Sequence, residues 1–144
     1  MRPGDNGALP DMKTETRLLL ADDWDDYALL DSGDGRKLER FGSQTVIRPD
    51  PRAFWQPAGP VASWSADAEF DAKAGDDERG EWRLYTRSAP TEWPMTWNGL
   101  RFNVRRAPFR HLGVFPEHSV HWRFAQDRIR AAGRPVKVLN LFGY

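Results

Sequence analysis

The chain has 144 residues, zero formal net charge, 40% apolar and 29% charged side chains: one ordinary globular domain rather than a disordered polymer. The absence of cysteine excludes disulfides and thiolate metal sites, and three histidines without paired acidic spacing offer no metal centre. No apolar stretch approaches a signal peptide or a spanning helix, the longest near the start being Leu18–Ala21, so a cytoplasmic protein without a membrane segment is expected.

Residues 1–16 carry Pro3, Gly4, Gly7 and Pro10 among few large apolar side chains, and read as a flexible leader. Tyr27–Asp31 reads as a strand, Ser32-Gly33-Asp34-Gly35 as a turn, and Lys37–Phe41 and Gln44–Ile47 as the next two strands of a small antiparallel meander. Pro49, Pro51, Pro57 and Pro60 then interrupt regular structure, with Phe54, Trp55 and Trp64 among them, which predicts an ordered loop pinned by aromatic rings. The polar stretch Asp71–Gly80 reads as a surface loop tip, and Trp82–Arg87 as a half-buried strand. Asn98-Gly99, flanked by alternating apolar residues in Met95–Val104, predicts a hairpin closed by a type I′ turn.

The pattern then changes. Pro116 at a first helical position, Glu117 in the first turn and Gly133 followed by Pro135 bracket a helix from 116 to about 132. Val136-Lys137-Val138-Leu139-Asn140-Leu141-Phe142 is nearly continuous apolar sequence, as in a strand buried on both faces of a parallel sheet. Such a strand needs neighbours reached through crossover helices, and none follow, so either it packs in some other way or, the favoured reading, the chain is a piece of a longer protein.

Residues 79–134 hold eleven arginines, no lysine and four carboxylates, whereas residues 1–35 hold nine carboxylates and three basic side chains. Arginine suits planar, bidentate phosphate contact, so the basic half permits an RNA partner; a solvated surface accounts for the same charges. Helical spacing places Glu117, His121 and Arg128 in a column within the apolar face, either as a satisfied core cluster or as the wall of a site. The loop Phe109–Glu117 gathers His111, Arg110, Gly113 and two aromatic rings ahead of the helix, and His111 is either a ligand contact or a loop histidine bonded to backbone. No phosphate loop, nucleophile elbow or complete dinucleotide fingerprint is present, so no catalytic set stands complete within the chain.

The stretch His111-Leu112-Gly113-Val114-Phe115-Pro116-Glu117-His118-Ser119-Val120-His121-Trp122, followed by Val138-Leu139-Asn140-Leu141-Phe142-Gly143-Tyr144, resembles the class I S-adenosylmethionine-dependent methyltransferases related to large-subunit ribosomal RNA cytosine methyltransferases. The resemblance is specific over 109–144 and weaker over 24–108; His118 stands where the family has Gln, and His121 where it has Asn. It implies an α+β chain: an antiparallel β-rich substrate-binding domain at 17–108, then at 109–144 one helix and the first strand of an incomplete Rossmann-like domain.

The resemblance further implies S-adenosylmethionine as cofactor, held by Phe115, Glu117, Asn140, Phe142, Gly143 and Tyr144, with His111, Arg110 and Arg128 on the substrate side. Catalytic residues are expected beyond Tyr144, so the intact protein would methylate an RNA base while this stretch alone would be inactive. The alternative is a non-catalytic, aromatic-rich β module that binds RNA or a protein partner. Oligomeric state, target nucleotide and methylated atom are not encoded in these motifs.

Overall fold

A computed structural model describes Thr16 and residues 18–141. The expected leader therefore lies outside the described residues apart from Thr16, as do Phe142, Gly143 and Tyr144.

Five strands form one sheet in chain order: β1 (Tyr27–Gly33), β2 (Arg36–Phe41), β3 (Gln44–Pro49), β4 (Ala68–Lys73) and β5 (Asp76–Leu84). The β1–β2 turn closes on Asp34 and Gly35 at φ 49° and 73°, the two positive angles of a type I′ turn. A separate hairpin of β6 (Glu92–Trp97) and β7 (Leu100–Arg105) turns at Asn98 and Gly99, φ 48° and 78°, as the Asn-Gly pair predicts.

The sheet is not a pure meander. β3 and β4 pair in parallel through Val46–Ala68 and Ile47–Glu69, because the proline-rich segment 50–67 is long enough to carry the chain back along the sheet. That crossover is pinned as its aromatic residues suggest. The Asp31 carboxylate accepts the backbone N–H of Ala58 at 3.1 Å and of Gly59 at 3.3 Å, and the Trp64 indole at 3.0 Å. The Ala58 amide, the Ser32 and Gly59 amides and the Trp64 indole together hold the Asp31 carboxyl below its ordinary range. The Trp55 indole donates to the Ser32 carbonyl at 2.9 Å, and a Cβ at Gly33 would lie 2.3 Å from Pro57 N, so the strap lies directly on the β1–β2 turn.

Asp71–Gly80 is not a loop tip. β4 and β5 run through it and turn at Ala74-Gly75, with Gly75 at φ 82°. The outer half of this hairpin is exposed, so it carries no apolar alternation by which to recognise a strand.

The core lies between the large sheet and the hairpin. Phe41, Val46 and Ala68 from the sheet meet Trp93, Met95, Trp97 and Val104 from the hairpin, with Trp24, Leu112 and Val114 closing the rim. The Trp93 indole, 3% exposed, donates to the Phe41 carbonyl at 2.7 Å and ties the layers together. Beside this apolar cluster, buried Arg48 forms a two-pronged bond to buried Glu39, 2.8 Å at each prong. The Tyr27 hydroxyl donates to Glu39 at 3.0 Å; burial and the adjacent carboxylate push its pKa upward.

After the hairpin, a 3-10 turn (Pro116–His118) leads into α1 (Ser119–Ala131). Asp23 holds this entry: its carboxylate accepts the Ser119 hydroxyl and the Trp97 indole, each at 2.8 Å, and pairs with Arg123 at 2.5 Å. The Trp24 indole donates to the Pro116 carbonyl at 3.0 Å. Beyond this anchorage α1 is largely uncovered. Glu117, His121 and Arg128, expected on an inward face, are exposed, and so is Phe124, because only the Trp122 side of the helix reaches the core. The apolar segment after Gly133 is not a strand. Residues 135–140 are irregular, with Val138, Leu139 and Leu141 exposed, since a parallel strand has no ladder without partner strands and the described residues supply none.

Candidate cofactor and substrate site

The loop from Phe109 to the start of α1 presents a run of rings. Phe109 and His111 stack with 8° between their planes and 5.5 Å between centroids. His111 then meets Phe115 at 5.8 Å, and Phe115 stacks on His118 at 5.5 Å and 25°. Leu112 and Val114, alternating with these rings, point into the core and fix the loop, so the aromatic side is turned outward for want of room inside.

Two recesses flank the run. One, of about 500 Å³, is apolar and lies between the hairpin and α1, walled by Phe115, Trp97, Phe102, Trp122, Ala125 and Ile129. The other, of about 410 Å³, lies between β7 and the loop and is mixed: Phe109 and His111 on one wall, Arg105, Asn103 and Glu92 on the other. Both fall within the range of small-molecule sites. Within the second, the Asn103 amide donates to Glu92 at 2.7 Å. His111 Nδ1 is enclosed without a hydrogen-bond partner.

The site residues named from sequence take distinct places. Phe115 borders the apolar recess and is half exposed; Glu117 sits exposed in the first turn and does not line the recess. Asn140 is exposed in the irregular segment, and Phe142, Gly143 and Tyr144 are not among the described residues. His111 lies in the ring run. Arg110 is turned the other way, its guanidinium on Glu78 and, at 3.5 Å, on the Pro49 carbonyl, while its own carbonyl accepts from Arg48 at 3.2 Å. Arg128 lies over the Phe124 ring at 5.1 Å, on the solvent side of α1. The structure thus brings His111 and Phe115 together and leaves Arg110 and Arg128 apart from them.

Sequence reading missed Arg101, Asn103 and Arg105. They occupy alternate positions of β7 and are all exposed, opposite the inward-facing Phe102 and Val104. The period-two pattern was available once the hairpin was recognised.

Cofactor chemistry fits the residues that are present. An apolar wall with the Phe115 ring suits an adenine face, and Glu117, a carboxylate that could meet the hydroxyls of a ribose or an ammonium group, is exposed two residues on and outside that lining. Among the described residues no group of three metal-ligating side chains exists, and no helix is long and apolar enough to cross a membrane.

No protein-family model and no curated protein matches the chain. A solved structure does. It is the S-adenosylmethionine-dependent methyltransferase from Agrobacterium tumefaciens, with a TM-score of 0.76 and 45% sequence identity over 84% of this chain. The chain is similar to part of a methyltransferase. It spans 38% of that protein, and the likeness is in sequence as well as in fold.

Proposed function

We propose that this chain is the N-terminal part of an S-adenosylmethionine-dependent methyltransferase that modifies an RNA base. The observation that carries the reading is the 45% identity to a methyltransferase of the same fold over 84% of the chain. The Phe115-Pro116-Glu117 entry to α1, anchored by Trp24 and Asp23, supplies a fixed wall against which a cofactor would lie. S-adenosylmethionine would supply a sulfonium methyl group for transfer to a nucleophilic atom of the base. The chain's own part is positioning: Phe115 and Glu117 toward the cofactor, with Asn140, Phe142, Gly143 and Tyr144 expected to complete that wall. The basic stretch 79–134 takes substrate phosphates, and alignment of the reacting groups provides most of the rate. On this reading residues 17–108 form the substrate-binding unit, 109–144 open the cofactor-binding unit, and the enzyme works in the cytoplasm.

Calorimetric titration of S-adenosylhomocysteine into this chain, and into polypeptides extending it along its reading frame, tests the proposal. Binding by the extended form that is lost on Glu117→Ala is the expected result. An extended form that ignores the cofactor removes the methyltransferase reading and leaves a non-catalytic β module in its place.

A further inference from the structure

We propose that the recess between β7 and the Phe109–Gly113 loop is a nucleotide subsite, in which the base stacks on Phe109 and the phosphate is met by Arg105. The inference rests on the reading of RNA as substrate and adds to it where the strand is gripped.

Three features carry it. First, the Phe109 ring, stacked on His111 with 8° between their planes and 37% exposed, offers a flat apolar surface on which any base stacks. Second, the opposite wall is polar and cationic. Asn103 and Arg105 line it, and Arg101 continues their row on the open face of β7 outside the recess, roughly 6.8 Å between successive side chains at strand geometry. Neither Arg101 nor Arg105 makes an ion pair among the described residues, unlike Arg36, Arg48, Arg83, Arg110 and Arg123, whose guanidiniums are held by carboxylates. A cation left on an open strand face beside an aromatic wall is an electrostatic track for a phosphate backbone. Third, the recess carries both kinds of edge contact a base needs. The Asn103 amide and the Glu92 carboxylate, bonded to each other at 2.7 Å, present a donor and an acceptor at its rim. A carboxylate there disfavours a bare phosphate and suits the exocyclic amine of a base, so the cation and the carboxylate act on different ends of one nucleotide.

The test follows the imidazole signal of His111 in carbon–proton correlation spectra, with His121 as control outside the recess. Cytidine 5′-monophosphate is expected to shift His111, and ribose 5-phosphate, which lacks the base, to leave it in place. Phe109→Ala is expected to weaken nucleotide binding at least tenfold, and Phe109→Tyr to retain it. Arg105→Gln, an exposed change that leaves the fold alone, is expected to weaken it several-fold and flatten its salt dependence. Equal shifts from ribose 5-phosphate, or unchanged affinity in Phe109→Ala and Arg105→Gln, would overturn the subsite. Fluorescence anisotropy with a single-stranded twelve-nucleotide RNA separates this from the substrate reading. RNA binding indifferent to both variants removes the subsite and leaves RNA as substrate. Nucleotide binding in the recess without RNA binding keeps the subsite and removes RNA.

Discussion

The β-rich body and the segment from Pro116 onward obey opposite rules. The body encloses a core of large apolar side chains and pairs a buried carboxylate: Phe41, Val46 and Met95 are inaccessible, and Glu39 meets Arg48 and Tyr27. In the helix and the residues after it, Phe124, Val138, Leu139 and Leu141 face solvent, and Ser119 is the buried residue of α1. Sheet and hairpin complete each other's apolar faces, whereas α1 touches the body along one edge at its entry. The first region is therefore stable through its own contacts; the second is held in place by the Trp122 ring against Trp24 and Trp97 and by a few hydrogen bonds.

The hardest blow to that contrast is expected from Trp93→Ala, which removes both an enclosed indole between the layers and its bond to the Phe41 carbonyl. It should cost about 3–5 kcal/mol and unfold sheet and hairpin as one unit. Urea unfolding followed by near-ultraviolet circular dichroism measures this; a loss below about 1 kcal/mol would mean the layers are not mutually dependent. Glu39→Ala should come next, at about 3 kcal/mol, because it leaves the Arg48 guanidinium buried beside a bare Tyr27 hydroxyl. Replacing Glu39 and Arg48 together with Leu should recover most of that loss, since the cost lies in the orphaned charge rather than in the absent pair.

What could be seen in the sequence divides along the same line. Two hairpin turns were legible, Ser32-Gly33-Asp34-Gly35 as a turn and Asn98-Gly99 as a type I′ turn whose backbone angles that pair requires, and the helix was bracketed by Pro116 and Gly133. The outer half of the β4–β5 hairpin was not, because a strand exposed on both faces shows no alternation. The burial of Glu117, His121 and Arg128 was misread for a related reason. Periodicity shows which residues share a helix face, but whether a neighbour covers that face is decided by the rest of the fold. The same holds for 136–141, whose composition suits a central strand that only partner strands create. Of the site, the ring-bearing loop was legible from Phe109 to Glu117, while the β7 row needed the knowledge of which way the hairpin faces.

A gentler test acts on the seam. Burial raises the Asp23 carboxyl, but hydrogen bonds from Arg123, Ser119 and Trp97 outweigh it and hold the group below its ordinary value. A depressed carboxylate adds stability that is fully present above the unfolded value, about 3.9, and is lost as pH falls through the folded one. Acidification below about pH 4 should therefore loosen α1 before the sheet, and Asp23→Ala should do so at neutral pH for about 1.5–3 kcal/mol. Amide exchange would show faster helix amides with the β2–β3 ladder unchanged. Equal acceleration in both would mean that α1 and the body unfold together.

The smallest effect on stability is expected where exposure is greatest. Leu139→Asp combined with Leu141→Asp removes two large apolar groups that are 81% and 75% exposed, so the folded state loses almost no packing. The unfolding free energy should move by no more than about 0.5 kcal/mol. Behaviour between molecules should change instead. Exposed apolar sequence is a template for association, and a carboxylate on it opposes both hydrophobic contact and strand pairing. Sedimentation velocity across a range of concentrations should show the parent chain associating and the double variant staying monomeric at unchanged thermal midpoint. A fall in that midpoint would put Leu139 and Leu141 in contact with the body and erase the contrast between the two regions. An unchanged midpoint with undiminished association would move the sticky surface to Phe124 and Ile129 on α1, which remain exposed in both proteins.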